Sequence, residues 1–472
     1  MAISFAKQKS EDGASTSATS IPEGSQQPLM REREKDLSSS QVYKVNRLWW
    51  SLCIGAFVLI LLLVPITQIV NNFSIYFSKT GYQLPSYYCK DVCSIYLVET
   101  IPIRHDMDYI SEHSIYDAWL SLLEAAEKTI DICSFSWSLQ GADQNYALSF
   151  EDNDLFQALR KFDSNRKGKV NIFVDNFTWQ DVTIREISPL ENYHVQLMHL
   201  PKVKESHTTA WVADRMHFYL GTASVDWRFF RQDKEMGVLL KNCPCLAEEL
   251  VSIFHAATVQ PSTTDIRPEL AKLHRIDFDN KYEMDSFFTI SGPMKDFIGG
   301  ISTEDAIVKA IANAKKFIYI SVITYYPFKK QLPDVLYLRK IHETLCGAIE
   351  RRNISIKLLT SWTESTDEEE QFLNSFQRYA QEITGKKFKL KRISFPKWHT
   401  KKGSIDHSMF LVTDNTAFIG ISDWRADYFF DTPGIGLVLQ EVGNKAEQTI
   451  RTQLIKLFQR DWNSQYAFAI QL

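Results

Sequence analysis

The chain has 472 residues, with 53 basic and 57 acidic side chains and a net charge of −4. That balance excludes a globally basic nucleic-acid binder, so any anion site has to be local. Hydrophobic residues at 44% and aromatics at 13% suit a folded α/β body, long enough for two domains or one pseudo-symmetric one.

Residues 1–43 are rich in Ser, Gln and Glu and too poor in large apolar side chains to order themselves. They are expected to form a disordered cytoplasmic tail. Residues 44–70 contain Leu48–Ile66, 19 uncharged residues, long enough to span a bilayer. Lys44 and Arg47 precede this run and Asn71 and Asn72 follow it. The positive-inside rule then puts the tail in the cytoplasm and the body in a lumen, as a single-pass type II signal-anchor. A signal peptide is the competing reading, but the 47 residues before the run are far too many for its short basic leader. Three glycosylation sequons occur, at Asn72, Asn176 and Asn353, with Asn72 close to the membrane and Asn176 and Asn353 the better candidates. Cys89, Cys93, Cys243 and Cys245 form two tight pairs that can make two disulfides of open connectivity in an oxidising lumen. Zinc is the rival ligand set, but no His flanks either pair and the C-x-C spacing is wrong for a zinc knuckle. Cys133 and Cys346 lie in apolar segments and read as buried free thiols.

After the anchor the pattern alternates. A short strand at Ser94–Glu99 precedes a helix carrying Ile115, Ala118, Trp119, Leu122 and Leu123 at helical spacing, then a strand at Thr129–Phe135. A helix near Leu155–Phe162, strands at Val170–Val174 and His194–Met198, a hairpin over 207–224, a strand at Glu235–Leu240 and a helix at Ala247–Ala257 complete a first lobe, 85–260. Residues 261–285 read as a polar connecting segment. A second lobe, 286–472, repeats the order with a helix at Thr303–Lys315, strands at Phe317–Val322 and Ile354–Leu359, and helices at Ile341–Arg351, around Phe372–Tyr379 and at Ile450–Phe458. The helix-to-strand junction recurs almost unchanged, Ala125–Ser134 against Ala312–Ser321. The alternation predicts mixed or mostly parallel sheets flanked by helices.

Each lobe carries a histidine stretch: His207, Asp214, Gly221, then Trp227-Arg228 in the first, and His407, Asp414, Gly420, then Trp424-Arg425 in the second. The repetition brings two His-bearing hairpins to a pseudo-twofold axis.

These stretches, together with Asn242-Cys-Pro-Cys-Leu246, Lys234-Glu235-Met-Gly237 and Asp461-Trp462, resemble the phospholipase D superfamily, whose mark is H-x-K-x4-D twice per chain, and in particular its type II membrane-anchored animal subgroup. The resemblance covers about residues 85–470. It implies two homologous α/β lobes with the active site between them, and phosphodiester hydrolysis through a phospho-histidine. On that pattern His207 is the nucleophile and His407 the general acid. Asp214 and Asp414 orient them, two Lys and two Asn hold the phosphate, and no metal or cofactor takes part.

The phosphate-holding positions depart from the pattern. The Lys positions hold Thr209 and Met409, and the Asn positions hold Ser224 and Asp423. Met409 offers no hydrogen-bond donor and Asp423 places an acid where an amide belongs, a local charge shift of about −3. Asp423 could be neutralised by Arg425 or by His407, raising that histidine's pKa. Basic groups at Lys202, Lys204, Lys397, Lys401 and Lys402 flank the histidines and could substitute. The sequence is therefore read as a catalytically inactive pseudoenzyme with a binding or scaffolding role in the endoplasmic reticulum, Golgi or endolysosomal system. The alternative is a surviving phosphodiesterase acting on single-stranded nucleic acid or phospholipid. The resemblance further implies a homodimer; the sequence names no protein partner.

Overall fold

Two seven-stranded ladders with one and the same strand order make up the body. The computed structural model describes residues 86–472, apart from 104, 141–149, 166–167, 176–177, 180, 199–208, 260–269, 271, 332–333, 352–353, 363–365, 386, 397–403, 421–422, 444–446 and 471–472. The expected tail and anchor, all three sequons, His207, Lys202, Lys204, Lys397, Lys401 and Lys402 lie outside the described residues. No helix among the described residues is long and apolar enough to cross a membrane. Residues 84–472 form one compact unit.

The first ladder comprises β1 (Ser86–Thr100), β2 (Thr129–Cys133), β3 (Lys169–Val174), β4 (Tyr193–Leu197), β5 (Thr209–Ala213), β6 (His217–Gly221) and β7 (Glu235–Lys241). Its spatial order is β1-β7-β6-β5-β2-β3-β4. β8 (Leu273–Phe278) leads into the second, which comprises β9 (Tyr282–Ser291), β10 (Phe317–Val322), β11 (Ser355–Ser361), β12 (Phe388–Ile393), β13 (Phe410–Thr413), β14 (Thr416–Ile419) and β15 (Gly434–Glu441). From β9 onward it reads β9-β15-β14-β13-β10-β11-β12. Within these two orders β2-β3-β4 and β10-β11-β12 are parallel runs, and the other pairs are antiparallel. The sheets are mixed, within the expectation of mixed or parallel sheets. The β5–β6 and β13–β14 hairpins and β7 and β15 add antiparallel strands on one side of each parallel core.

The expected connecting segment differs. Leu273–Phe278 is strand β8, and Tyr282 already begins β9. Both read as polar because their buried side chains alternate with half-exposed ones. β8 pairs in parallel with Ser86–Cys93 of β1 and antiparallel with β9. The other half of β1, Ser94–Thr100, pairs antiparallel with β7. One strand thus belongs to both ladders.

Helices cover the outer faces. On the first lobe, α1 (Ile115–Ala125) buries Ile115, Ala118, Trp119, Leu122 and Leu123, and starts at a capping box made by Ser114 and Asp117. α2 (Pro244–Thr258) opens at the Cys243-Pro-Cys245 sequence, which is its first turn rather than a loop. On the second lobe, α3 (Thr303–Asn313) and α4 (Asp367–Thr384) carry Ser302 and Thr366 as N-caps. α5 (Ile450–Asn463) closes the chain. A central core joins Phe218, Leu220, Val238 and Leu240 of the first ladder to Phe288, Ile290, Leu437 and Val412 of the second, with α2 and α5 packed into it. Separate outer cores lie under the helices of each lobe.

Each tight cysteine pair is split between two disulfides, Cys89–Cys245 and Cys93–Cys243. All four sulfurs are therefore taken, which removes the zinc reading. Cys133 is a buried free thiol as expected, whereas Cys346 is free but only half-buried.

Candidate active site between the lobes

The repeat lets each position be compared with its twin. Thr209 opens β5 opposite Gly221, and Met409 lies beside Gly420, whose N–H donates to the Met409 carbonyl at 3.0 Å. The two glycines share a local reason. A Cβ at Gly221 would strike the Tyr219 ring, and one at Gly420 the Phe418 ring, because each aromatic folds over the residue two places on.

His407 stands just ahead of β13, at a seam with the first lobe. Its N–H donates to the Lys234 carbonyl at 2.8 Å, the Lys234 N–H donates to the Ile405 carbonyl at 2.8 Å, and the Ile405 N–H donates to Asp233 Oδ1 at 2.8 Å. The His407 side chain pairs through Nδ1 with Glu235 Oε1, a carboxylate with no exposure that also accepts from the Thr222 hydroxyl. Phe229 of the first lobe meets the imidazole edge-on. Burial alone would lower the His407 pKa, but Glu235 at contact range, with Asp233 and Asp406 behind it, raises it to about 9. The imidazole is held as a cation.

Beneath this pair lies a buried ionic cluster. Lys234 has no exposure, and its Nζ reaches Asp406 Oδ1 at 3.0 Å, Asp461 Oδ2 at 2.9 Å and the Ser408 hydroxyl. Burial opposes its charge, yet Asp406 and Asp461 outweigh burial and hold its pKa above the ordinary lysine value. Arg460 continues the network from Asp461, at 2.7 Å, to Glu99 of β1, at 2.8 Å.

The acids seven residues after each histidine do something else. Asp214 accepts the N–H groups of Glu127, Lys128 and Thr129 at 2.7, 2.9 and 2.7 Å. Asp414 accepts those of Lys315 and Lys316 at 2.7 and 3.0 Å. Each sits at the far end of its strand and clamps the helix-to-strand junction of its own lobe. The orienting role expected for Asp414 is thus corrected, since the acid on His407 is Glu235; His207, the partner expected for Asp214, lies outside the described residues. The sequence carried Glu235 only as part of Lys234-Glu235-Met-Gly237; a charged pair heading a buried apolar strand was the available signal.

A second asymmetry follows from the register. Glu235 opposes Thr100 at the end of the β1–β7 ladder, and the twin position, opposing Ser291 in the β9–β15 ladder, is Gly434. Where the repeat would place a carboxylate for the first histidine there is no side chain. The Trp-Arg pairs are not twins either. Trp424 aligns with Val225 and Arg425 with Asp226, as the bridges Tyr325–Trp424 and Trp137–Val225 show.

The four degenerate positions are all buried. Thr209 has no exposure and its hydroxyl has no hydrogen-bond partner among the described residues, and Met409 is also buried. The Ser224 hydroxyl is engaged by Ser134 at 2.7 Å, by the Ser136 N–H at 2.8 Å and by the Ser136 carbonyl at 2.9 Å. Asp423 Oδ1 accepts from the Thr324 and Trp424 N–H groups at 2.7 and 2.9 Å. Burial pushes the Asp423 pKa up to about 7, against those two donors and Arg425. Arg425 itself pairs with Glu369 at 3.1 Å and Asp427 at 3.3 Å. The raised His407 pKa therefore comes from Glu235.

A profile described as the PLD-like domain of PLD3/4 matches residues 109–397. The chain belongs to this phospholipase D-like family. It is 32% identical over 410 residues to the protein named 5'-3' exonuclease PLD3 of Xenopus tropicalis, covering 80% of this chain and 81% of that one. It is 28% identical to the protein named 5'-3' exonuclease PLD4 of Mus musculus, covering 79% of each. Among solved structures, the phosphatidylserine synthase of Haemophilus influenzae Rd KW20 superposes with a TM-score of 0.52 at 10% identity, over 75% of this chain and 85% of that one, which speaks for the fold alone. Among the described residues the phospholipase D-like histidine–carboxylate pair is His407–Glu235.

Proposed function

We propose that this phospholipase D-like protein is a catalytically silent member of its family, with a binding or scaffolding role. The observation that carries this reading is the state of the four phosphate-holding positions. Thr209 and Met409 carry no charge, the Ser224 hydroxyl is engaged within its own lobe, and Asp423 brings a carboxyl in place of an amide. Loss of a single preorganised donor lowers phosphoryl- or acyl-transfer rates by about 10²–10³. The glycine at Gly434 removes the carboxylate on the nucleophile's side as well. A luminal, membrane-tethered body agrees with Leu48–Ile66 and with the two disulfides, which need an oxidising compartment.

The second reading is a surviving phosphodiesterase. The His407–Glu235 ion pair favours it, since an imidazolium in that setting can protonate a leaving oxygen, and the PLD3 and PLD4 relatives carry the name of exonucleases. One assay separates the two. The purified full-length chain is incubated with single-stranded DNA, RNA and phospholipid vesicles, beside His207→Ala and His407→Ala variants. Silence is the expected result. Turnover that disappears in both variants would overturn the pseudoenzyme reading.

A further inference from the structure

Lys357 of β11 and Lys389 of β12 stand directly opposite one another in parallel register. Like charges so placed destabilise a sheet. Strand alternation puts Lys391 on the same face as Lys389. The Lys357 and Lys391 ammonium groups both lie over the Trp462 ring of α5, at 5.3 and 5.2 Å from its centroid, and Lys357 is also 5.0 Å from the centroid of Tyr319. Lys391 Nζ donates to the Trp462 carbonyl at 2.8 Å. Among the described residues no carboxylate pairs with any of the three. The Lys357 pKa is lowered, first by burial and then by Lys389 and Lys391.

Lysines on an edge strand ordinarily discourage pairing with another chain. That accounts for Lys389. It does not account for Lys357, on an interior strand between β10 and β12, nor for Lys391, whose backbone is already covered by Ala469. Lys357 and Lys391 are held over aromatic faces with Lys389 beside them in register, and among the described residues no anion pairs with them.

We propose that Lys357, Lys389 and Lys391 form a binding site for a phosphate-class oxyanion on the second lobe, floored by Trp462. Converging ammonium groups without a guanidinium fork favour a phosphate oxyanion, as a point-charge ligand, over a carboxylate, which arginine matches better. The site uses neither His407 nor the interlobe seam, so it stands whether or not the cleft is silent.

The test is thermal unfolding of the full-length chain in detergent, titrated with inorganic phosphate, with glycerophosphoglycerol (the soluble head of an anionic lipid), or with chloride at matched ionic strength. Phosphate is expected to raise the midpoint saturably, by about 2–4 °C at a hundredfold excess over Kd. Saturation at a lower concentration by glycerophosphoglycerol would assign the site to a lipid headgroup, and saturation by phosphate alone to a free phosphate. In Lys357→Gln/Lys389→Gln the increment should vanish, while the midpoint in chloride stays level or rises because repulsion is relieved. Lys389→Glu, on an exposed side chain, should abolish the increment even if the double variant fails to fold. Equal increments from phosphate and chloride in the wild type, or an increment that survives Lys389→Glu, would refute the site and leave the lysines as edge protection.

Discussion

Two buried titratable groups give opposite roles to what look like ordinary active-site residues. His407 owes its charge to Glu235, so Glu235→Gln should drop its pKa from about 9 to 6.5 or lower, readable by NMR titration of the imidazole. Because the folded value lies above the unfolded one, the stabilisation from His407 is complete below about pH 6.5 and is lost as pH rises through about 9. Asp423 is an acid whose folded pKa, about 7, lies above its unfolded value of 3.8. Its carboxyl therefore favours the folded state at low pH and weakens it as pH climbs toward 7. Asp423→Asn should flatten stability between about pH 4 and 7, by up to roughly 4 kcal/mol at the alkaline end, measured as denaturant midpoints across that range. The same burial trims the charge deficit counted from the sequence: in mildly acidic solution Asp423 is a neutral carboxylic acid, closer to the amide it replaced.

At the scale of elements, the repeated acid of the histidine stretches serves the fold. The junction Ala125–Ser134 resembles Ala312–Ser321 because both wrap their N–H groups around a carboxylate sent from a neighbouring strand. Asp214→Ala should lower stability by about 2–3 kcal/mol, since three donors lose a charged acceptor, and should leave the His407 pKa unmoved. Lys234 works differently. Lys234→Met removes the cation between Asp406 and Asp461 and strands two buried carboxylates, which should cost about 3–5 kcal/mol in chemical denaturation and loosen the seam that carries His407. The position of Gly434 bears on restoring activity. Thr209→Lys, Met409→Lys, Ser224→Asn and Asp423→Asn together are expected to restore less turnover than the same set with Gly434→Glu.

The element scale also shows what could be read from the sequence. Periodicity and repetition found α1, both hairpins and the twin junctions, because those patterns are local. Thr209 and Met409 were legible because each sits two residues after its histidine, and Ser224 and Asp423 because each sits three after a glycine. Glu235 was not, since its partner lies 172 residues away in the other lobe. The Trp-Arg pairs misled for a related reason: identity of residues in a short motif says nothing of register, and the strand bridges shift one pair by two places.

For the whole molecule, one strand carries both the disulfides of the first lobe and hydrogen-bonded ties to the second. The disulfides close loops of 156 and 150 residues between β1 and the start of α2. Losing the constraint of one such loop should cost roughly 4–5 kcal/mol, so reduction with dithiothreitol should lower the unfolding midpoint sharply and slow migration on a denaturing gel. The shared strand has a further consequence in time. β1 is the first part of the body to be made, and apart from a two-residue pairing of Val98 and Glu99 with His113 and Ser114 its partners are β7 and β8, and β8 ends only at Phe278. A nascent chain must leave most of β1 unpaired while roughly 150 residues follow, at about 5–20 residues per second. That interval, on the order of ten seconds or more, leaves Cys89 and Cys93 open to wrong partners and makes this a slow, high-contact-order fold. Chains stalled before residue 240 should therefore stay protease-sensitive and bind chaperones, and those extended past 290 should acquire a resistant first lobe, a contrast that limited proteolysis of truncated nascent chains would read directly.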